Sequence, residues 1–191
     1  MADFKLLVII SRKMIRKELS NMITQLRSRK SIRKYKNIPL DPQMINLLKE
    51  AILLSPSSKG INPWEFIFIN DPQLLSTLSK AKMHGSGFLA GAPLAIVVCG
   101  KENSSDVWVE DCSIASIIAH LTAHSIGLGS CWIQIRNRNH NANTTSESYI
   151  REVLHIPSDI RVESIIAIGF PDEDIPVNGK PDYSKIHLNR F

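Results

Sequence analysis

The sequence has no apolar run long enough to cross a bilayer, and this absence argues against a membrane-spanning helix. The short apolar stretch 6–10 follows a single lysine and lacks both the length and the small-residue cleavage site of a secretory signal. The sequence therefore predicts a cytoplasmic protein without a membrane span.

Cysteine is scarce, and its spacing excludes several kinds of site. The three cysteines, Cys99, Cys112 and Cys131, are odd in number and far apart, with no zinc or iron–sulfur pattern. Free thiols in a reducing compartment are therefore expected. The dinucleotide fingerprint G-x-G-x-x-G is also missing, because Gly127 and Gly129 follow a predicted helix instead of opening one. Any NADH or NADPH is expected to bind transiently.

Two further patterns have an ordinary structural interpretation. His120 and His124 are four residues apart on a predicted helix, a spacing that can bind a metal. The Glu of zinc proteases is absent and no third ligand is evident, so we expect core or interface histidines and no metal. Cys131 has no adjacent His in sequence, and a buried structural cysteine is the expected role.

Charge is unevenly distributed along the chain of 191 residues, whose net charge is +5. Residues 1–36 hold eleven Lys or Arg and two acids, whereas the remainder holds twelve basic and sixteen acidic residues. A basic end of this kind can bind nucleic acid or an acidic membrane surface. Apolar residues also recur at helical spacing over 4–26. We predict an amphipathic helical extension over 1–21, followed by one domain over 22–191.

The most informative segment is a cluster of cations around a hydroxyl, with Arg29, Lys30, Ser31 and Arg33 at its centre. Arginine presents a planar fork of donors that matches phosphate oxygens in pairs. In a helix, Arg29 and Arg33 would share one face; at a frayed helix end, side chains and backbone would surround a phosphate. The competing interpretation is a solvated basic surface.

A second informative segment, 55–66, joins a predicted helix to a predicted strand. Pro56 ends the helix, and Gly60 permits a tight backbone. The hydroxyls of Ser57 and Ser58, the Asn62 amide and the backbone amides of this loop suit the polar edge of a heterocycle. The competing interpretation is an ordinary turn.

Together the two segments resemble the signature of the FMN-dependent nitroreductase family. Residues 29–35 match Arg-(Arg/His/Lys)-Ser-Ile-Arg-x-(Tyr/Phe), and residues 56–64 match most of Pro-Ser-(Ser/Ala)-x-Asn-x-Gln-Pro-Trp. Gly60 stands where that family often has Asn, and Asn62 where it often has Gln. Later motifs extend the resemblance over about residues 23–191.

The resemblance implies FMN at the interface of a homodimer. Arg29 and Ser31 would hold the phosphate and ribityl end, Lys30 would contribute mainly backbone, and Arg190 would be a C-terminal phosphate partner. Arg33 would place positive charge near the N1–C2 carbonyl edge of the flavin. The other implied flavin contacts are Pro56, Ser57 and Ser58 from the second subunit, Asn62 at the pyrimidine edge, and Trp132, Ile133 and Gln134 along the ring, with a backbone amide near N5.

By the same resemblance, the chain would be an oxidoreductase with ping-pong hydride transfer from NADH or NADPH. The acceptors would be nitroaromatics, quinones or similar electron-poor molecules, and no catalytic side chain would be required because the chemistry belongs to the flavin. One alternative is a flavin reductase or dehalogenase-type enzyme of narrow specificity, set by a lid from 82–88 or 136–145. The other is a flavin- or nucleic-acid-binding module that uses the basic N-terminus; nucleic acid is the less favoured partner.

Periodicity and end signals predict an α+β fold, with a central mixed or antiparallel sheet and a long central helix. Helix ends are indicated by Asp41, Pro42 and Gly127, and Ser146 is a candidate cap. The predicted strands are 64–69, 94–99, 130–135 and 162–170, and the predicted helices after the N-terminal one begin near 42, 71, 106 and 146, the third running to 126.

Overall fold

The computed structural model describes residues 22–176 and 179–191. They group into two units, of which one is Arg29–Asp174 and the other holds the described residues of 22–28 and 175–191. In the smaller unit, residues 22–28 are helical and Tyr183–Lys185 forms a 3-10 turn. The extension predicted over 1–21 lies outside the described residues.

The larger unit contains four strands and four α-helices, and the predicted α+β class is confirmed. Each predicted strand and helix of this unit is present, with ends that coincide with the prediction or differ from it by at most three residues. The strands are β1 Trp64–Ile69, β2 Leu94–Lys101, β3 Gly129–Gln134 and β4 Ile160–Gly169. The α-helices are α1 Pro42–Leu53, α2 Pro72–Leu78, α3 Trp108–Ser125 and α4 Ser146–Val153.

Local polar groups set the helix ends. The Asp41 carboxylate accepts the Gln43 N–H (2.7 Å) at the start of α1. Gly127, at φ +80°, ends α3 in the left-handed conformation predicted for it. The prediction that Ser146 caps α4 is wrong. Thr145 is the cap, and its hydroxyl accepts the Ser148 N–H (3.0 Å).

The four strands form one antiparallel sheet in the order β1-β2-β4-β3. Strands β2 and β4 are central and almost wholly buried, whereas β1 and β3 are the edges. A bulge interrupts the β2–β4 pairing, so that Val98 pairs with Ser164 and Cys99 with Val162. The exposed edge of β3 is the part of the sheet that matters most for the candidate site.

Helices cover both faces of the sheet. On one face, side chains of α2 and α4 such as Leu75 and Ile150 pack against Val97 and Ile165. On the other face, α1 and α3 pack on a second cluster, whose members include Leu48, Ile52, Ile96, Ala115, Ala119 and Ile166. Each layer removes the apolar surface of a strand and a helix from water, which is the main favourable contribution to folding.

The long helix α3 is largely apolar and is the long central helix predicted from sequence. Its first turn packs closely on β2, since a Cβ at Gly100 would lie 2.7 Å from Trp108 Cε3 and 2.9 Å from Cys112 Sγ. On the opposite side, Ile114 and Ile117 are 38% and 43% exposed. Among the described residues, no helix combines the length and hydrophobicity needed to span a membrane.

Candidate functional site

The cation-rich segment is extended and lies beside the edge strand β3. The Ile32 N–H donates to Ser130 O (3.0 Å), and Ser31 forms a parallel bridge with Ser130. Residues i, i+2 and i+4 share one side of an extended chain, so Arg29, Ser31 and Arg33 are arranged together while Ile32 is buried. The two arginines are therefore brought together by strand periodicity and not by the helical turn considered from sequence.

Two residues fix the C-terminal half of this segment. The Tyr35 hydroxyl donates to Ile32 O and Ala167 O, and burial raises the pKa of Tyr35 so that it remains a neutral donor. The Glu173 carboxylate accepts the backbone N–H groups of Arg33 and Lys34. These bonds, the one from Arg33 first, lower the pKa of Glu173. Hydrogen bonds thus fix this segment both on the side that faces the sheet, through Tyr35, and on the side that faces solvent, through Glu173.

The cations of this segment have different partners. Lys30 pairs with Asp174 (3.1 Å), whereas Arg29 and Arg33 take part in none of the ion pairs found among the described residues. Arg33 places its Cζ 5.9 Å from the centre of the Phe88 ring. Two guanidinium groups on one face, neither of them in an ion pair within the described part of the chain, form a donor set that suits a phosphate.

Cys131 directly follows Ser130, the residue of β3 that pairs with Ser31 of this segment. Burial raises the pKa of the Cys131 thiol, although Arg33, the Ser31 hydroxyl and Arg29 each act to lower it. The protonated thiol is therefore the stable form, and a protonated thiol is a poor nucleophile. Cys131 is buried, as expected from sequence.

His120 supports β3 from the opposite side. Its Nδ1 lies 2.6 Å from Ser130 Oγ, and its ring is stacked on that of Trp132 with centroids 6.3 Å apart. Burial, with a smaller effect from Arg29, lowers the pKa of His120 to about 4. His120 is therefore a neutral, buried side chain that forms a hydrogen bond with Ser130. Ser130 is also the residue whose carbonyl accepts the Ile32 N–H.

The buried neutral His120 predicts a loss of stability in mild acid. In the unfolded chain this side chain binds a proton below about pH 6.5, but in the folded protein only near about pH 4. The stabilisation that neutral His120 contributes is complete at pH values above the pKa of this side chain in the unfolded chain. It is lost as the pH falls toward the pKa of His120 in the folded protein. Between about pH 7 and pH 5 the free energy of unfolding should fall by about 2 kcal/mol on this account.

Urea unfolding of wild type and His120→Gln at the two pH values measures this effect. We expect the decrease to be smaller by about 2 kcal/mol in the variant. Burial also lowers the pKa of His124, but His124 is present in both proteins, so the difference between them isolates His120. An equal decrease in the two proteins would contradict the assignment.

The close approach of the cation-rich segment depends on a glycine at the start of β3. A Cβ at Gly129 would lie 2.7 Å from both Cβ and Cγ1 of Ile32. Gly129→Ala should therefore push the segment away and destabilise the fold by about 1–3 kcal/mol. Thermal unfolding measures this, with Gly91→Ala as the control, since a Cβ at Gly91 meets nothing within 4 Å. Equal stability of the two variants would show that Ile32 accommodates the added methyl group.

The residues predicted along β3 divide between its two faces. Trp132 and Gln134 lie on the α3 side, where Trp132 Nε1 donates to Gln134 Oε1 (3.0 Å) and Gln134 Nε2 to Arg136 O (3.1 Å). The Ile133 side chain is buried in the opposite core. Only the backbone of Ile133 is therefore available to a ligand, and the flavin contact predicted for this strand stays a prediction. As an edge strand, β3 leaves backbone N–H and C=O groups unpaired by the sheet.

The loop predicted to contact a heterocycle is fixed by its own side chains and by one buried acid. The Ser57 hydroxyl donates to Asn62 Oδ1 (2.6 Å) and accepts the Asn62 N–H (2.8 Å). The Ser58 N–H donates to Oδ1 of Asp111 (2.9 Å), whose side chain is buried at the start of α3. The role of Asp111 was not predicted from sequence. The one feature that marks this residue there is its position as an acid in the first turn of a mostly apolar helix.

The same loop has an unusual backbone. Lys59, Gly60 and Asn62 have φ values of +54°, +68° and +52°. Residues other than glycine rarely adopt this left-handed region, and when they do the surrounding structure must hold them there. A Cβ at Gly60 would meet nothing within 4 Å. Pro56, the remaining predicted residue of the loop, is exposed.

The two predicted groups of site residues lie at opposite ends of α3. The loop is bonded to Asp111 in the first turn, whereas Arg29 lowers the pKa of both His120 and His124 near the last turn. Nine residues separate Asp111 from His120, which is about 14 Å along a helix. A ligand held by Arg29 would have to extend over this distance to reach the loop of the same chain. Arg190 belongs to the smaller unit, and its phosphate role stays a prediction.

The two segments considered as a lid contact each other. The Met83 N–H donates to Asn139 O (3.3 Å), and His140 Nδ1 lies 2.8 Å from Lys80 O. The ring of Phe88, at the end of the first segment, contacts Arg33. The lid segments thus form one surface next to the cation-rich segment. Their sequences contain no sign of this pairing, because the contacts are between groups about 60 residues apart.

Comparison with known proteins gives a consistent result. The sequence profile described as the nitroreductase family matches residues 26–85 and 78–170. A solved FMN-dependent nitroreductase from Clostridium difficile R20291 is 45% identical, with a TM-score of 0.87 over 88% of this chain and 99% of that chain. A protein of Archaeoglobus fulgidus, provisionally named NADH dehydrogenase/NAD(P)H nitroreductase, is 32% identical over 82% of this chain and 88% of its own length.

A third relative has a solved structure and the same provisional name. It comes from Parabacteroides distasonis and is 32% identical, with a TM-score of 0.81 over 88% of this chain and 98% of that chain. The similarity therefore covers nearly the whole length of each relative and includes both predicted groups of site residues.

Proposed function

This chain belongs to the nitroreductase family, and we propose that it is an FMN-dependent oxidoreductase that uses NADH or NADPH as electron donor. The observation that carries the proposal is the extended segment beside β3, where Arg29, Ser31 and Arg33 share one face and neither arginine is in an ion pair found among the described residues. Relatives that are 30–45% identical are named for the same cofactor or donor.

The donor set of this segment fits the polar parts of FMN. Arg29 and Ser31 would hold the phosphate and ribityl end, Lys30 would contribute backbone, and Arg33 would face the N1–C2 edge. Backbone groups on the open edge of β3 around Ile133 would face the ring. When bound, FMN supplies hydride transfer at N5, so no side-chain acid or base is needed. The neutral His120 and Tyr35 keep the binding surface in place.

A homodimer would complete the site. Two copies packed through α3 about a two-fold axis would bring the first turn of one helix next to the last turn of the other. The loop bonded to Asp111 in one chain would then lie near Arg29 of the second. Exposed Ile114 and Ile117 on the outer side of α3 provide apolar surface for this contact. In this arrangement Pro56, Ser57, Ser58 and Asn62 contact the flavin held by the partner.

The proposed reaction follows ping-pong order, in which donor and acceptor occupy the same open face in turn. Nitroaromatics, quinones and similar electron-poor molecules are the proposed acceptors. The ring of Phe88, in the lid segment 82–88, contacts Arg33. This contact favours, as a second candidate, a flavin reductase or dehalogenase-type enzyme of narrow substrate specificity. The three free cysteines are buried and accord with a cytoplasmic location.

The purified protein tests this proposal directly. Its absorption spectrum is expected to show a flavin, and NADPH or NADH added without oxygen should bleach it. Mass measurement should give a dimer with one FMN per chain. A colourless protein that does not take up added FMN would overturn the proposal, and a bound flavin that neither nucleotide bleaches would exclude these two electron donors.

A further inference from the structure

We infer that the groove between α1 and the edge strand β1 binds an elongated aromatic acid. The groove has a volume of about 500 Å³, which is within the range of small-molecule sites. Side chains of both elements line it, among them Lys49, Ile52, Leu53, Trp64, Phe66 and Phe68. Because β1 and β3 are opposite edges of the sheet, about 14 Å separates the two strands. The inference therefore does not rest on flavin binding.

Aromatic side chains form the wall of the groove on β1. Trp64, Phe66 and Phe68 are two residues apart along the strand, so their side chains lie on the same face of the sheet. The rings of Trp64 and Phe66 have centroids 5.3 Å apart and planes inclined by 30°. Within the described part of the chain, no further strand pairs with the outer edge of β1. A flat aromatic ligand can stack on such a row of rings.

A lysine lies at one end of the aromatic row. Lys49 Nζ is 5.6 Å from the centre of the Phe68 ring, and Lys49 takes part in none of the ion pairs found among the described residues. Glu65 also lines the groove, but its carboxylate is paired with Lys101 (2.6 Å). The charge that the groove offers to a ligand is therefore positive, which favours an acidic group.

An unused hydrogen-bond donor lies at the other end of the row. Trp64 is 9% exposed, and its Nε1 is buried without a hydrogen-bond partner among the residues that the structure describes. By contrast, Trp132 Nε1 donates to Gln134 Oε1 (3.0 Å). A buried donor without an acceptor is unfavourable, and most such groups in folded proteins have a partner. A carbonyl group on a ligand in the groove would supply the acceptor that Trp64 lacks.

The spacing of these two groups sets the length of the ligand. Residues 64 and 68 are four positions apart on an extended strand, which corresponds to about 13 Å. A bicyclic aromatic molecule with an acid at one end and a carbonyl at the other spans most of this distance. The probe 6-acetyl-2-naphthoate has this arrangement. Its carboxylate would face Lys49, its rings would cover Phe66, and its acetyl oxygen would accept the Trp64 N–H.

Nuclear magnetic resonance of the full chain, labelled with ¹⁵N at tryptophan, tests this arrangement at low salt. The chain has three tryptophans, and the Trp64 indole signal is the one that disappears in Trp64→Phe. Adding 6-acetyl-2-naphthoate should move this signal downfield, whereas the signal of Trp132, which already has an acceptor, should stay in place. The probe 2-acetylnaphthalene lacks the acid and should bind about tenfold more weakly.

Variants test whether the groove residues cause this selectivity. Lys49→Met should weaken 6-acetyl-2-naphthoate about tenfold and leave 2-acetylnaphthalene unchanged. Lys36→Met removes the same charge at an exposed position that does not line the groove, and both affinities should stay within about twofold. A Trp64 signal that stays in place overturns the inference, and this is also the result expected if a second copy covers the groove. Equal affinities for the acid and the neutral probe in wild type overturn it as well.

The flavin spectrum separates this test from that of the proposed function. FMN absorption of the loaded protein should be the same with and without 6-acetyl-2-naphthoate, because the two ligands are expected to bind at opposite edges of the sheet. Release of FMN by the probe would show that the probe binds at the flavin site, and would overturn the inference. A protein that takes up no FMN would contradict the proposed function, yet its groove can be titrated in the same way.

Discussion

Replacing Arg29 with alanine is expected to weaken FMN binding by about 10- to 100-fold. A hydrogen bond to a charged group contributes about 1.5–3 kcal/mol, and Arg29 has no carboxylate partner among the described residues that would offset its loss. Fluorescence titration of the apoprotein with FMN measures the change, since flavin emission responds to binding. The fold itself should be unaffected, because the backbone beside Arg29 is held by Ile32 and Tyr35.

Lys36→Ala is the matched control for this measurement. Lys36 is exposed, follows the same segment, and carries the same charge, and its backbone N–H to Phe170 O remains in the variant. Its affinity for FMN should stay within about twofold of wild type, since surface charges of this kind contribute little. Equal loss in the two variants would indicate a general effect of net charge. Unchanged affinity in Arg29→Ala would remove Arg29 from the phosphate site.

The second large effect is expected from Asp111→Ala, which should lower the free energy of unfolding by about 2–4 kcal/mol. Its buried carboxylate accepts the Ser58 N–H (2.9 Å) and lies 3.4 Å from the Ser105 hydroxyl. Truncation leaves these donors without their acceptor and opens a small cavity. For a domain of this size the melting temperature should fall by about 5–15 °C.

Asp111→Asn separates the hydrogen bond from the charge. The amide oxygen can still accept the Ser58 N–H, and its NH2 can donate to the Ser105 hydroxyl, so the loss should be about half that of the alanine variant or less. Thermal unfolding of the three proteins makes the comparison. The alanine variant should also bind FMN more weakly, because the loop 57–62 would lose its attachment to α3. Wild-type stability in Asp111→Ala would show that the loop is held by Ser57 and Asn62 alone.

The elements of the larger unit were predictable because their signals are local. Asp41 and Asp71 cap helices through side chains that reach only two or three residues along the chain, and Gly127 marks a helix end by its own conformation. The error at the start of α4 has the same origin. Thr145 and Ser146 are adjacent hydroxyl residues, and only the packing of Ser146 in the interior decides that Thr145 is the cap.

The residues of the candidate site stay a prediction, and their geometry could not be predicted from the sequence. Arg29 and Arg33 can share a face in a helix or in a strand, and the choice is made by Ser130, about 100 residues away. The role of Asp111 depends on a bond to a residue 53 positions earlier. Contacts of this range leave no periodic pattern in sequence. The resemblance to a family supplied the cofactor, and the structure supplies the arrangement of these side chains.

At Gly60 the loop has a left-handed backbone without the Asn side chain that the family often has at this position. The family often has Asn at this position, and Asn is one of the few side chains that adopt a left-handed backbone readily. Gly60 retains that backbone at φ +68°, and open space surrounds the position where a Cβ would lie. Reintroducing Asn would therefore require no rearrangement of the loop. Variation at this position can bring a new ligand contact without disturbing its neighbours.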